Sequence, residues 1–178
     1  IALNKKVFDA IHVFNQPIIH HVEPRTVDRY TSIAKARTAA TKVGLTYDCE
    51  YLLFLDSDVV PPAWTLNALV ATGHEVVGGW IPARRSAWIG GQWVKYGVFR
   101  HYREVQEGTI CTDLISLGCT LVHRSLLEKY EFQGGHGFCI DEKGNTYQLS
   151  DSGAFSSYAI GAGHKLYLTS TVVCEHLI

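Results

Sequence analysis

YLLFLDSDVVPP, residues 51–62, places two carboxylates, Asp56 and Asp58, directly after a run of five apolar or aromatic residues. A short apolar run bounded by polar and turn residues is typical of a strand that is buried on both faces of a sheet. In α/β proteins built on such strands, ligands bind outside the carboxyl ends of the strands. The pattern therefore predicts an α/β fold with a ligand site at these two aspartates.

The spacing of the two aspartates favours a metal site. Asp56 and Asp58 point to the same side if the extended geometry of the strand continues through them. Two carboxylates that converge in a cleft repel each other unless a cation lies between them. A hard divalent cation, shared with a phosphate-bearing substrate, fits this arrangement. The alternatives are a solvated turn, or a helix starting at Pro61 that Asp58 caps.

Length and composition predict one globular domain spanning residues 1–178. The net charge of -1 argues against a broad electrostatic surface for nucleic acid. No apolar stretch is long enough to span a bilayer and no signal peptide is visible, so a cytoplasmic location is expected. The five cysteines show no Cys-x-x-Cys spacing and are expected to be reduced and mostly buried. Nothing in the sequence indicates an oligomeric state.

The hydrophobic periodicity and the turn residues predict an alternation of strands and helices. Helices are predicted at 1–14, 26–43, 61–72, 125–130 and 150–160, and strands at 18–22, 51–55, 75–81, 92–100, 112–122 and 165–173. Residues 82–91 are predicted to form a loop from their composition, and the glycine-rich residues 133–144 a mobile segment. Alternation in the first half favours a mostly parallel sheet, and the density of strands in the second half favours a mixed one.

Two further signals lie in the second half of the chain. Ser150 and Asp151 lead a predicted helix, where they form either a capping pair or a functional site. His176 follows an apolar strand, and a lone histidine in such a place is more often structural than a ligand.

In their order along the chain, these motifs resemble the GT-A glycosyltransferases, most closely the small family-2-like enzymes of bacteria, archaea and viruses. The resemblance runs from about residue 25 onward and is carried by Arg29 and Arg37 flanking Ile33-Ala34-Lys-Ala36, by Asp56-Ser-Asp58, Val77-Gly78-Gly79, Gly118 to Arg124, Asp151-x-x-x-Phe155 to Gly163, and His176. Two departures are visible: Ser150 replaces a common Glu, and Thr38 replaces a common Asn. The family's first strand is expected to be lacking or truncated.

The resemblance implies a Rossmann-like, mixed and mostly parallel sheet flanked by helices, with a metal site. Asp58 would bind Mn²⁺ or Mg²⁺ directly, and Asp56 would bind the ribose or reach the metal through water. His176 would be a third protein ligand, and its imidazole favours Mn²⁺. The metal would neutralise the diphosphate that leaves as the sugar–phosphate bond breaks.

The resemblance also implies a catalytic base and a donor site. Asp151 would take the proton from an acceptor hydroxyl as it attacks the anomeric carbon. A single base opposite the leaving group implies inversion of the sugar centre. Arg29, Arg37 and Gly118 would contribute to the nucleotide-sugar site, although exposed helix charge is an equally good reading of the two arginines.

The predicted function is metal-dependent, inverting transfer from a nucleotide sugar, most simply a UDP- or GDP-sugar, to an acceptor hydroxyl. The acceptor is undefined and could be a glycan, a lipid-linked molecule or a protein. One alternative is a phosphatase of the haloacid-dehalogenase type, but that motif requires a Thr where Val60 stands. The other is a non-catalytic nucleotide-sugar-binding module of the same shape.

Overall fold

The computed structural model of the chain describes residues 29–89, 92–96, 104–132, 138–140, 146–148 and 150–177. Side chains are described within residues 33–82, 104–132 and 150–177. The helix predicted at 1–14 and the strand predicted at 18–22 lie outside the described residues, as does most of the segment predicted to be mobile.

The described residues form four helices and eleven strands. The helices are α1 (Arg29–Gly44), α2 (Thr65–Ala71), α3 (Arg124–Leu127) and α4 (Asp151–Gly161). The strands are β1 (Tyr51–Leu55), β2 (Val59–Val60), β3 (Val76–Trp80), β4 (Pro82–Ile89), β5 (Gln92–Tyr96), β6 (Thr109–Thr112), β7 (Cys119–His123), β8 (Phe138–Ile140), β9 (Thr146–Gln148), β10 (Leu166–Val173) and β11 (Glu175–His176).

The centre of the fold is a mixed five-stranded sheet with the order β1-β7-β3-β10-β6. Strands β3 and β10 pair in parallel, whereas the other neighbours pair antiparallel. Strands β1, β3 and β10 therefore run in one direction, and β7 and β6 run in the other. This architecture confirms the α/β fold class and the mixed sheet that the sequence predicted. The expectation of a mostly parallel sheet is not met, because among the described strands of this sheet only β3 and β10 pair in parallel.

The single strand predicted at 112–122 is wrong, because the chain leaves the sheet between β6 and β7. The backbone N–H of Ile115 donates to Ser156 Oγ at 3.1 Å, and that of Leu117 donates to Ser152 Oγ at 3.3 Å. Both serines lie on α4, so these donors are satisfied by a helix and not by a strand partner. The connection is thereby attached to the helix that carries Asp151.

The loop predicted at 82–91 is also wrong, since most of it belongs to an antiparallel hairpin. Strand β4 pairs with β5, with Trp88 opposite Trp93 and Ile89 opposite Gln92. The two strands are separated in sequence by Gly90-Gly91, a spacing typical of two-residue hairpin turns. This local signal outweighs the arginine- and glycine-rich composition that favoured a loop.

Two apolar layers enclose the sheet. One contains Phe54, Val76 and Val122 together with Phe155 and other residues of the connection and of α1, α3 and α4. The other contains the alternate residues of the same strands, such as Val77, with Leu69 of α2. Every residue of β3 is buried, as expected for a strand at the centre of a sheet.

Strand β1 departs from the prediction of burial on both faces. Only Phe54 is fully buried, and the other four residues are partly exposed. The reason is the strand order, which places β1 at the end of the described sheet with β7 as its neighbour there.

Gly79 on β3 provides a test of this packing. A Cβ built at Gly79 would lie 2.4 Å from Val172 Cγ1, a stiff β-branched side chain of β10. We expect Gly79→Ala to destabilise the protein by about 1–3 kcal/mol through overpacking, measured by urea unfolding. Gly161→Ala, where no atom lies within 4 Å of the added Cβ, is the matched control and should be neutral or stabilising. Equal stability of the two variants would contradict the close approach of β3 and β10.

Candidate functional site

The chain turns immediately after β1, and this turn separates the two aspartates of the motif. The backbone N–H of Val59 donates to the Asp56 carbonyl at 3.1 Å, so the extended geometry does not continue through Asp58. The condition under which both side chains would point to one side is therefore not met. The capping alternative for Asp58 also fails, because α2 begins later and has Trp64 at its N-cap without a side-chain cap bond.

Asp56 is joined to the candidate base by an arginine. Arg37 of α1 lies with Nη2 2.7 Å from Asp56 Oδ1, and its Nη1 donates to Asp151 Oδ2. The side chains of Arg37 and Asp151 are 11% and 7% exposed, whereas that of Asp56 is 45% exposed. The result is a chain of carboxylate, guanidinium and carboxylate that runs from the exposed end of β1 into the interior.

Asp151 does not cap the helix that it begins. Ser150 is the N-cap of α4, and its Oγ accepts from the backbone N–H of Gly153 at 3.2 Å. The Asp151 carboxylate is therefore available to Arg37, while the helix N-terminus adds a favourable field for its negative charge. Of the two readings of the Ser150-Asp151 pair, the cap applies to the serine alone.

Gly118 positions Asp56 through its backbone. Its carbonyl accepts from the Asp56 N–H at 3.0 Å. A Cβ at this position would lie 3.0 Å from Asp56 Oδ2 and 3.0 Å from Ile81 Cδ1, so glycine leaves room for the carboxylate. Gly118 was predicted to contribute to the donor site. That role would depend on its backbone bond to Asp56 and on the space that it leaves for the Asp56 carboxylate.

His176 is brought to Asp58 by a short antiparallel ribbon. Strand β11 pairs with β2, with His176 opposite Val59, and the N–H of Leu177 donates to the Asp58 carbonyl at 2.8 Å. His176 Nδ1 lies 2.7 Å from the Pro82 carbonyl oxygen, and Nε2 lies 3.7 Å from Asp58 Oδ2. A carbonyl oxygen only accepts, so Nδ1 carries a proton and donates it to Pro82.

The predicted site residues thus form two groups. Arg37 holds Asp56 and Asp151, and Asp58 faces His176. Within the described residues, no group of three or more His, Cys, Asp or Glu side chains is arranged to hold a metal ion. The predicted three-ligand set of Asp56, Asp58 and His176 is therefore not assembled as one cluster.

The Asp58–His176 pair nevertheless has the chemistry that a divalent cation needs. With Nδ1 protonated, a neutral His176 directs the Nε2 lone pair toward a carboxylate oxygen. The 3.7 Å separation is too long for a direct hydrogen bond. Metal-binding histidines commonly donate their other ring N–H to a carbonyl, as His176 does to Pro82. One imidazole nitrogen and one carboxylate oxygen are donors that suit Mn²⁺.

The structure does not describe the side chain of one predicted donor-site residue. Arg29 begins α1, but its side chain lies outside the described residues.

Of the cysteines with described side chains, Cys119 and Cys174 are buried, Cys49 is partly exposed and Cys111 is exposed; all four are free thiols. A hydrogen bond with Cys174, together with burial, raises the pKa of the Cys119 thiol well above its usual value.

Sequence reasoning did not identify two serines of α4 that bind the backbone of the β6–β7 connection. Ser152 and Ser156 of α4 accept the backbone bonds that attach the β6–β7 connection to the helix carrying Asp151. Their spacing of four residues places both on one helix face. That spacing is the only sequence signal for this role, and it does not identify the partner segment.

Comparison with known proteins gives fold-level matches. No family model and no curated protein matches the chain. The solved structure of A197 from STIV superposes with a TM-score of 0.63 at 21% identity, over 99% of this chain and 81% of that one. GalNAc-T7, solved with UDP, GalNAc and Mn²⁺, superposes with a TM-score of 0.53 at 13% identity, over 87% of this chain and 32% of that one. The fold is that of the GT-A glycosyltransferases.

In this GT-A fold, the described helices include none that is both long and apolar enough to cross a membrane. Asp56 directly follows β1 of the mixed sheet, whereas Arg37 and Asp151 lie on the helices α1 and α4. Asp58 and His176 lie at the separate β2–β11 ribbon.

Proposed function

We propose that the protein is a metal-dependent, inverting glycosyltransferase that moves a sugar from a nucleotide-sugar donor to an acceptor hydroxyl. Asp58 and His176 would hold a divalent cation, Asp151 would be the general base, and Asp56 and Gly118 would form part of the donor site. Arg29 remains a proposed donor contact from the family resemblance alone.

One observation carries this proposal: the Asp58 carboxylate faces the Nε2 of a histidine that already donates Nδ1–H to Pro82. Nε2 and Oδ2, 3.7 Å apart, are both electron-pair donors when the imidazole is neutral. Such a pair is stabilised by a cation between its members, either a proton or a metal ion. Two protein ligands leave coordination positions for a diphosphate, which is how cations with oxygen ligands bind nucleotide substrates.

The reaction assigns a separate task to each group. When bound, the cation would neutralise the charge that develops on the leaving diphosphate. Asp151 would accept the proton of the attacking hydroxyl, and its burial beside Arg37 excludes water from one side of the carboxylate. Asp56, which is 45% exposed, is accessible to the ribose of the donor. A single base on the attacking side leads to inversion at the anomeric carbon.

The likeness to GalNAc-T7, whose structure contains UDP and Mn²⁺, makes UDP the first nucleotide to test. A thermal-shift panel of UDP, GDP, CDP and dTDP, each with and without Mn²⁺, measures which nucleotide binds the folded state. We expect one diphosphate to raise the Tm only when Mn²⁺ is present. If none of the four changes the Tm with Mn²⁺, the proposed donor site is contradicted.

Catalysis requires a second measurement, because a binding module would give the same thermal shift. Hydrolysis of UDP-sugars, UDP-GalNAc among them, should depend on Mn²⁺ in a glycosyltransferase. Binding without hydrolysis or transfer would favour the non-catalytic alternative. Phosphate release without sugar release would favour a phosphatase.

A further inference from the structure

Arg37 connects the two aspartates that the proposed reaction uses on different substrates. Its Nη2 lies 2.7 Å from Asp56, on the donor side, and its Nη1 donates to Asp151, on the acceptor side. A ligand of the donor phosphates would direct its terminal nitrogens at the substrate. Here both terminal nitrogens are directed at protein carboxylates, and the side chain is 11% exposed.

We propose that Arg37 is a positioning residue, which orients Asp151 for proton abstraction and holds Asp56 beside it, and that it is not a ligand of the donor phosphates. This inference rests on the proposed glycosyl transfer at the same site. It replaces a donor-binding role for Arg37 with a role that acts through the base.

The shape of the guanidinium explains why an arginine stands here. A planar guanidinium directs N–H groups from its two terminal nitrogens at two acceptors simultaneously, whereas a lysine ammonium is a single point charge. The contact with Asp151 uses Oδ2 and so fixes the rotation of the carboxylate. Oδ1 of the same group would then be the oxygen that accepts the proton.

The surrounding charges explain what the loss of Arg37 would do. Asp151 is 7% exposed, and the Arg37 guanidinium that pairs with it also pairs with Asp56, which carries a second negative charge. Without the guanidinium, the two carboxylates repel each other and Asp151 lacks the partner that compensates its burial. The carboxylate would then rotate out of the position that proton abstraction needs. The carboxylates that Arg37 pairs with, Asp56 and Asp151, are not the proposed cation ligands, so binding of the nucleotide through the cation should change little.

The test compares Arg37→Gln, Arg37→Lys and the wild type in two assays. Calorimetry gives the Kd for UDP with Mn²⁺, and the rate of UDP-sugar hydrolysis at saturating donor gives kcat. We expect Arg37→Gln to keep the UDP Kd within a few-fold and to lower kcat roughly 10- to 100-fold, the effect of a misplaced catalytic group. Arg37→Lys should recover part of kcat, because it restores the positive charge but not the planar guanidinium that reaches two carboxylates.

Lys42→Gln is the matched control, because Lys42 lies on the same helix and pairs with Glu131 at the exposed surface. It should leave both Kd and kcat unchanged. The double variant Arg37→Gln/Asp151→Asn tests whether the unpaired buried carboxylate destabilises Arg37→Gln. It removes that carboxylate and should therefore melt at a higher temperature than Arg37→Gln alone.

The outcomes separate this inference from the proposed function. An Arg37→Gln variant with wild-type kcat overturns the inference, as does one that loses UDP affinity while its kcat at saturating donor is retained. A wild type that neither binds UDP with Mn²⁺ nor hydrolyses any UDP-sugar contradicts the proposed function itself, and the catalytic role of Arg37 is then rejected with it. If the double variant melts no higher than Arg37→Gln, the ion pair is not the reason for the placement of Arg37.

Discussion

Asp151→Asn is expected to reduce sugar transfer by roughly two to four orders of magnitude, the usual contribution of a positioned general base. The amide keeps the shape of the side chain but cannot accept the proton. Arg37 retains its bond to Asp56, so the fold should survive the substitution. Steady-state kinetics should show a lower kcat with a nearly unchanged Kd for the donor nucleotide, the pattern of an interaction that acts in the transition state.

Ser150→Ala is the matched control for this prediction, because Ser150 and not Asp151 caps α4. Loss of the cap should cost about 1 kcal/mol of unfolding free energy and leave turnover close to that of the wild type. If Asp151→Asn transfers sugar at close to the wild-type rate, Asp151 serves only the structure. The inverting mechanism would then have no base among the proposed site residues.

Asp58→Asn should abolish Mn²⁺-dependent binding of the nucleotide. We expect the UDP affinity measured with Mn²⁺ to fall by more than about 100-fold, since even the loss of an outer-sphere partner of a metal costs roughly 10- to 100-fold. The backbone bond from Leu177 to the Asp58 carbonyl does not involve the side chain, so the β2–β11 ribbon should persist. Calorimetric titration of UDP with and without Mn²⁺ measures the effect.

His176→Gln should produce a smaller change of the same kind, because it removes the imidazole nitrogen that faces Asp58. Asp48→Asn, at an exposed aspartate that precedes β1, is the control for loss of one surface charge. Unchanged Mn²⁺ dependence in Asp58→Asn would show that the cation, if one binds, is held elsewhere.

The sequence predicted the parts of the fold that depend on local patterns. The strand at Tyr51–Leu55 is confirmed with its boundaries, because an apolar run that ends in aspartates has sharp limits. The helix beginning at Ser150 and Asp151 is confirmed for a similar reason, since a serine cap and two terminal glycines define its ends. The mixed sheet was also predicted, from the alternation of elements and the density of later strands.

The parts that sequence reasoning missed depend on tertiary contacts. A serine four residues from another does not reveal that both bind the connection at Ile115 and Leu117. The spacing of Asp56 and Asp58 suggested one shared ligand, but a turn directs one to Arg37 and the other to His176. Likewise, the sequence alone did not decide whether Arg37 is an exposed charge or a functional residue, because its partner Asp151 lies 114 residues away along the chain.

That separation has a consequence for how the protein acquires its activity. Contacts between residues distant in sequence form late, because the entropy of closing a long loop must be overcome before the contact contributes stability. A nascent or partly folded chain with β1 and its first neighbours in place would still lack both the Arg37–Asp151 and the Asp58–His176 contacts. Nucleotide binding should therefore appear only with the last kinetic phase of refolding, and it would serve as a reporter of native topology that secondary-structure signals cannot provide.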